Sequence, residues 1–278
     1  QLEAAITRYN LRELFRQCAA YDGWFGRAQL FVNLGDAEGD ELAMPIALDP
    51  VKIPKGSLKE FRFVEPITTY PAEYDAANPL AENYYRPSKW FVYAQKVHAS
   101  RMLTFISRPV PDLLKPAYNF GGMSLSQLAE PYVRYWYETR DCVGKLIKNF
   151  STTVLSTDLS SILSGGDGNM TLKRAKMYAK MRDNFGIFLL DNNKENFNQI
   201  NTPLSGLYQL QAQAQEHMAS VAKTPLIVLL GITPSGLNAS SDGEIRVFYD
   251  FISDSQETLF HRNLETAIKI IQLSEFGE

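Results

Sequence analysis

Hydrophobic positions recur with helical spacing at both ends of the chain. A window with a period of about 3.6 residues predicts an amphipathic helix over residues 2–20, which ends near Asp22 and Gly23. Its apolar face holds Ile6, Leu11, Leu14, Phe15 and Cys18. A longer pattern runs from residue 242 to about residue 274, and a helix of that length usually needs a bundle or an oligomer to cover it. Its inward positions are Ile245, Phe248, Ile252, Leu259, Leu264, Ile268 and Ile271.

The region after the first helix has a different pattern. Residues 28–34 form an apolar run that predicts a strand. Residues 36–87 are dense in Pro, Asp, Asn and Tyr around short apolar segments such as residues 61–64. This pattern is typical of short strands with long connections, so we predict an irregular, β-rich region.

A second long helix is predicted after a loop that Pro and Gly interrupt over residues 108–122. Ser124, with Gln127 three residues later, forms a capping-box pattern at its start. Pro131 is compatible only with the first turns, so the regular part begins there or the helix is kinked. One apolar stripe follows: Leu125, Leu128, Tyr132, Tyr135, Trp136, Cys142, Val143, Leu146, Ile147 and Phe150.

Shorter elements fill the interval between the two long helices. Apolar runs at residues 154–157 and 186–191 predict strands, and a basic helix is predicted over residues 171–184. Thr202 and Pro203 predict the start of a further helix, as N-cap and first helical residue, which runs to residues 224–225. The apolar run at residues 225–232 has the length of a strand and leads into a segment rich in Gly, Ser and Asn.

Composition excludes several classes of protein. With 278 residues, of which 45% are hydrophobic, the chain can bury a large core in one or two domains. It contains neither an apolar run of about 18 residues nor a signal peptide. Because it begins with Gln1, we expect it to be part of a longer protein. Cys18 and Cys142 are far apart and indicate reduced thiols.

The candidates for chemistry are weak. His98 and Ser100 match half of the signature of two-histidine phosphodiesterases, but the residues after His217 and His261 do not supply the second half. The alternative is a structural histidine at the end of a strand. No paired metal ligands occur, and the Gly-rich residues 165–168 lack the lysine of a phosphate loop. We therefore expect no catalytic, cofactor-binding or metal-binding residues.

Three segments resemble phage portal proteins. In residues 224–244 an apolar run, which follows a Gln/Ala-rich helix, leads into a polar loop and a long helix, as in the tunnel-loop region of that family. Residues 90–105 are similar to the strand, His-x-Ser-Arg and strand pattern of the portal wing. Residues 140–147 lie where the first stem helix is expected. The chain thus resembles the DUF1073-type (HI1409-like) portal family.

The resemblance implies an α+β portal fold with these parts in order. A wing of helix and β-rich structure occupies residues 1–122, and the first stem helix follows at residues 123–150. A small α/β clip takes residues 151–201, and the second stem helix takes residues 202–224. Residues 225–278 then hold a wing strand, the tunnel loop and a long helix that leads to a crown absent from this chain.

The resemblance also implies the site residues. The loop facing DNA would comprise Ser235, Gly236, Leu237, Asn238, Ala239, Ser240, Ser241, Asp242 and Gly243. The alternative for this loop is a plain surface turn with Asp242 as the N-cap. Partners of the clip would meet Lys173, Arg174, Lys176, Lys180 and Arg182. The alternative for these cations is a solvated helix face.

The function implied is that of a homododecameric ring at one capsid vertex. Such a ring passes double-stranded DNA during packaging and ejection, and it meets the terminase large subunit, the head-tail adaptor, the major capsid protein and the scaffolding protein. It is assembled in the host cytoplasm, resides in the virion and involves no membrane and no cofactor. A net charge of −3 fits a channel that does not grip phosphates, but it also fits an ordinary enzyme. A nucleotide phosphodiesterase and a head-tail adaptor without a channel are the alternatives.

Overall fold

A computed structural model describes residues 1–35, 39–148, 151–157, 195–201, 205–232 and 241–277, together with residues 173, 176 and 177. The chain divides into two compact units. The first consists of Gln1–Tyr135 and Ala214–Glu278, and the second of Trp136–Gln213. The first unit therefore joins the two ends of the sequence.

The predicted first helix is two helices, α1 (Leu2–Arg8) and α2 (Leu11–Phe25). The single helix over residues 2–20 was wrong because Asn10 adopts a left-handed conformation, with φ of 51°. Asn is one of the few residues that do so at low cost. The end near Gly23 was also wrong, since α2 continues to Phe25 and is terminated by Gly26, which has φ of 77°.

Two antiparallel sheets form the β-rich region. The first has β1 (Ala28–Asn33) between β2 (Glu60–Val64) and β6 (Met102–Phe105), with Leu30 opposite both Phe63 and Leu103. The second has β4 (Lys89–Val92) between β3 (Thr69–Glu73) and β5 (Gln95–His98). The strands predicted at residues 28–34 and 61–64 are confirmed.

The first sheet is buried on both faces. One face packs with the N-terminal helices and the last helix, α7 (Arg262–Phe276), around a core that contains Leu11, Phe15, Cys18, Leu30, Ile53, Phe105, Ile270 and Ile271. The other face contributes to a smaller cluster of Leu42, Val64, Val97 and Met102. The final helix is thus an integral part of the N-terminal domain.

The long helix predicted from residue 242 is confirmed as three consecutive helical segments. They are α6 (Ser241–Ser255), a π-helical segment (Gln256–His261) and α7. Leu264 was predicted to face inward, but it is exposed. The π-helical segment inserts a wider turn, which shifts the inward face relative to a 3.6-residue period. In α7 the buried residues are Ala267, Ile270, Ile271, Leu273 and Ser274.

The helix predicted after Ser124 is confirmed as α3 (Leu125–Lys148). The Ser124 hydroxyl accepts a hydrogen bond from the Gln127 amide at 3.1 Å, as an N-cap does. Pro131 lies inside α3, which begins before it. The helix therefore accommodates a residue that cannot donate the usual backbone hydrogen bond.

The second unit contains an antiparallel pair, β7 (Ser151–Thr157) and β8 (Glu195–Asn201), in which Ser151 lies opposite Asn201. The strand expected at residues 154–157 is confirmed within β7, and β8 was not predicted. Residues 173, 176 and 177 are helical. The rest of the helix predicted over residues 171–184 and the strand predicted at residues 186–191 lie outside the described residues.

The next helix, α4 (Leu207–Val221), starts later than predicted. The helix does not run without a break from the predicted start at Thr202 and Pro203, because Ser205 and Gly206 form a turn and Gly206 has φ of 90°. A left-handed residue cannot continue an α-helix. Thr202 and Pro203 themselves lie outside the described residues.

The predicted wing strand at residues 225–232 was wrong. Leu226–Leu230 forms a short helix, α5, between Pro225 and Gly231. Gly231 has φ of 69° and donates its amide to the Ile227 carbonyl at 3.1 Å. Proline before a helix and left-handed glycine after it are typical of helix ends, and here they outweigh the strand preference of the apolar run.

Candidate channel-facing segment

The predicted tunnel loop is framed by α5 on one side and α6 on the other. Within the loop, Ser235, Gly236, Leu237, Asn238, Ala239 and Ser240 lie outside the described residues. Ser241, Asp242 and Gly243 form the first turn of α6. Asp242 is therefore not the N-cap that the sequence predicted, because the helix already begins at Ser241.

The first turn of α6 is acidic. Asp242 and Glu244 are both exposed there. Carboxylates at this end of a helix are favoured by its partial positive charge, typically by about 0.3–1 kcal/mol at the surface. They also offset the positive potential with which a helix N-terminus attracts a phosphate. This end of the loop thus presents negative charge beside the segment expected to face DNA.

The other flank is apolar and accessible. The helix α5 buries Leu226 and leaves Val228 and Leu229 exposed, and Ile232 beyond it is also exposed. Three exposed aliphatic side chains on so short a segment form a surface suited to contact with another polypeptide. The sequence interpretation missed this surface because it took the run as a strand.

The cations predicted for the clip can be placed only in part. Lys173 and Lys176 are exposed and helical. Arg174, Lys180 and Arg182 lie outside the described residues. The clip role of these residues therefore stays a prediction.

The His98 motif has a structural role. His98 Nδ1 accepts hydrogen bonds from the Ser100 amide at 3.2 Å and from the Ser100 hydroxyl at 2.8 Å. The Ser100 hydroxyl in turn accepts the Ile46 amide at 2.8 Å. Arg101 Nε and Nη2 donate to the carbonyl oxygens of Met44 and Glu41. The motif thus fixes the segment over residues 41–46 against the junction of β5 and β6.

The charge state of His98 agrees with this role. Burial of the ring, together with nearby Lys89 and Arg101, lowers the pKa of His98 below its ordinary value. A neutral ring keeps Nδ1 as an acceptor for Ser100. In the part of the chain that the structure describes, no group of three or more His, Cys, Asp or Glu side chains could hold a metal ion. None of the helices described there is long and apolar enough to span a membrane.

A family profile described as "Phage portal protein" matches residues 1–278. The chain belongs to the phage portal protein family. The resemblance found in the sequence is therefore confirmed at the level of the family. Portal proteins are structural rather than enzymatic, which also confirms the expectation that this portal chain is not an enzyme. The phosphodiesterase alternative is set aside.

Solved structures of particle necks and portals are similar to this portal chain. The "Neck of native GTA particle computed with C12 symmetry" matches with a TM-score of 0.50 and 14% identity, over 86% of this chain and 61% of that one. The "Neck of empty GTA particle computed with C6 symmetry" matches with a TM-score of 0.49 and 15% identity, over 85% of this chain and 59% of that one. An HK97 family phage portal protein from Corynebacterium diphtheriae matches with a TM-score of 0.40 and 11% identity, over 85% of this chain and 64% of that one.

At identities of 11–15% these similarities bear on the fold alone. The fold match is that to the neck with C12 symmetry, with a TM-score of 0.50. It supports a mixed helix-and-sheet fold with small antiparallel sheets, while the assignment of stem, clip and wing stays a prediction. The chain spans about three-fifths of the length of these structures. Comparison with curated protein sequences gives no match.

Proposed function

We propose that this chain is the subunit of a homo-oligomeric portal ring, expected to be dodecameric, at one vertex of the capsid. The ring conducts double-stranded DNA during packaging and ejection. The observation that carries the proposal is the family match over the whole chain. The similarity in fold between this chain and a particle neck computed with C12 symmetry also supports a ring.

The segment from Ser235 to Gly243 faces the DNA in this proposal. Its small polar side chains, such as Asn238 and Ser240, can contact phosphates weakly without reading sequence. The acidic first turn of α6 and the net charge of −3 favour sliding over gripping, because tight binding to DNA requires cations that neutralise phosphates.

Further partners follow from the same proposal. The terminase large subunit and then the head-tail adaptor dock at the clip, where Lys173 and Lys176 are exposed cations. The major capsid protein and the scaffolding protein contact the ring during assembly in the host cytoplasm, and the finished ring resides in the virion.

Packaging kinetics test the proposal. Asn238→Lys with Ser240→Lys places two cations in the loop of every subunit. We expect slower DNA packaging at low salt, because the added lysines bind phosphates. The packaging rate should recover at high salt, because salt weakens these contacts. The control is Glu257→Lys with Gln256→Lys, in the exposed part of the π-helical segment, which should leave the rate unchanged. Equal rates for the loop variant and the wild type at all salt concentrations would contradict the DNA-facing role.

A further inference from the structure

A groove with an apolar floor and an acidic rim lies between α6 and the α4–α5 segment. Its volume is about 870 Å³, and its floor includes Ala219, Leu226, Val247, Phe248 and Phe251. The rim carries four exposed carboxylates, those of Glu216, Glu244, Asp250 and Asp254. We call this cavity the acidic groove. All its residues belong to the first compact unit.

Its floor is open to contact. Val247 is 68% exposed and lines the acidic groove together with Phe248 and Phe251. Among the lining residues of the acidic groove, one cation is present, Lys223, and its ammonium lies 5.2 Å from the centroid of the Phe251 ring. The surface therefore combines exposed apolar area with an excess of negative charge, which is matched by an apolar and cationic partner.

A loop of the same chain has that chemistry. Over residues 49–57, Val51 is 84% exposed, and Lys52 and Lys55 are exposed beside it. We call these three side chains the basic knob. The exposed valine precedes two exposed lysines in the same short loop, so the knob combines a small apolar group with positive charge.

The basic knob is held rigidly. Ile53 is fully buried in the core, and the Asp49 carboxylate accepts the Val51 amide at 2.6 Å. The Gly56 amide donates to the Ser274 carbonyl of α7 at 2.7 Å. A loop fixed in this way loses little conformational entropy when it binds, which favours a role in recognition.

We propose that the basic knob of one subunit inserts into the acidic groove of the neighbouring subunit. The two surfaces are complementary in charge, and the knob is exposed in its own chain, so it does not occupy its own groove. A contact between two different surfaces of identical subunits is heterologous, and it repeats from subunit to subunit until a ring closes. The inference rests on the proposed portal ring and adds which surfaces meet in it.

Charge reversal on each side tests the contact. The knob variant carries Lys52→Glu and Lys55→Glu, and the groove variant carries Asp250→Lys and Asp254→Lys. All four side chains are exposed, so each variant should fold, which circular dichroism and the melting temperature check. We expect each variant alone to need at least a tenfold higher protein concentration for half-maximal assembly, measured by mass photometry.

Mixing the two variants gives the sharper result. The groove variant keeps a normal knob, which fits the normal groove of the knob variant. The reversed knob, now acidic, faces the reversed groove, now basic, so this contact is also complementary in charge. We expect the mixture to form assemblies larger than a dimer that neither variant forms alone. The matched control is Arg12→Glu with Arg16→Glu, two exposed cations of α2, which changes the net charge as the knob variant does and should assemble like the wild type.

The outcomes separate the contact from the ring. If the wild type and both charge-reversal variants assemble equally, the proposed contact is wrong and the portal ring still stands. If assembly weakens in the Arg12 and Arg16 control as much as in the knob variant, general charge rather than the contact explains the effect, and the contact is again wrong. If the wild-type chain stays monomeric at every concentration, both the contact and the proposed ring fail.

Discussion

Arg27 Nη2 lies 2.6 Å from the hydroxyl oxygen and 2.9 Å from the carbonyl oxygen of Thr69, and it donates to both. Thr69 begins β3, and Arg27 directly precedes β1, so the interaction joins the two sheets. The guanidinium also donates to the carbonyl oxygens of Pro66 and Asn119 and lies 4.5 Å from the centre of the Trp90 ring. Both Arg27 and Thr69 are buried, and burial lowers the pKa of Arg27 to about 10.

Arg27→Met is expected to destabilise the domain by about 3 kcal/mol, because it removes hydrogen bonds to the carbonyl oxygens of Pro66, Thr69 and Asn119, each worth roughly 0.5–1.5 kcal/mol. Urea unfolding monitored by circular dichroism measures the change. Thr69→Val removes only the hydroxyl and should cost about 1 kcal/mol, while Thr69→Ser keeps the hydrogen bond. Equal stability of Arg27→Met and the wild type would show that the sheets do not depend on this arginine.

His98 is expected to make stability depend on pH. Its pKa in the folded chain is lowered, so the unfolded chain binds more protons at His98 as the pH falls. The stabilisation is therefore present above the ordinary pKa of about 6.5 and is lost as the pH falls through the folded value. Urea unfolding between pH 7.5 and pH 5 measures it.

Two variants isolate the His98 effect. His98→Asn keeps a side-chain acceptor for Ser100 but does not titrate, so it should reduce the loss of stability on acidification. His98→Ala removes the side chain that caps the short 3-10 helix Ala99–Arg101 and should cost about 1 kcal/mol at pH 7.5. His261→Gln, at an exposed site on the last long helix, serves as the control. If His98→Asn loses as much stability between pH 7.5 and pH 5 as the wild type, groups other than His98 cause the loss.

Two glycines near the predicted tunnel loop should respond to alanine in opposite directions. Gly231 ends α5 with φ of 69°, a conformation that costs alanine about 1–2 kcal/mol. Gly243 lies in the first turn of α6, where alanine is favoured by up to about 1 kcal/mol. An added Cβ meets nothing within 4 Å at either position, so backbone conformation alone sets the sign. The melting temperatures of the two variants measure these opposite changes in stability. Stabilisation by Gly231→Ala would contradict the helix end at Gly231.

The sequence pattern located most secondary-structure elements because amphipathic periodicity and turn residues are local signals. The strands near residues 30 and 62, the capped start of α3 and the long final helix all have such signals. Errors arose where backbone conformation decided the outcome. Asn10 and Gly206 interrupt helical patterns through positive φ values, and the residues around α5 convert an apolar run into a helix.

The candidate site was predictable mainly through family resemblance. The order of helix, loop and helix around residues 233–240 follows from turn residues, but a DNA-facing role does not follow from any local pattern. The phase of the last helix was not predictable past residue 255, because the π-helical segment depends on how Leu259 and Phe260 pack against the core. The acidic groove was missed for a similar reason, since its residues come from separate helices.

Native mass spectrometry of the purified assembly, with negative-stain images of the same sample, tests the central claim most directly. The proposed function predicts a closed ring of about twelve copies with a central hole, since heterologous contacts between identical subunits close by rotation. A species no larger than a dimer at every concentration examined would contradict it.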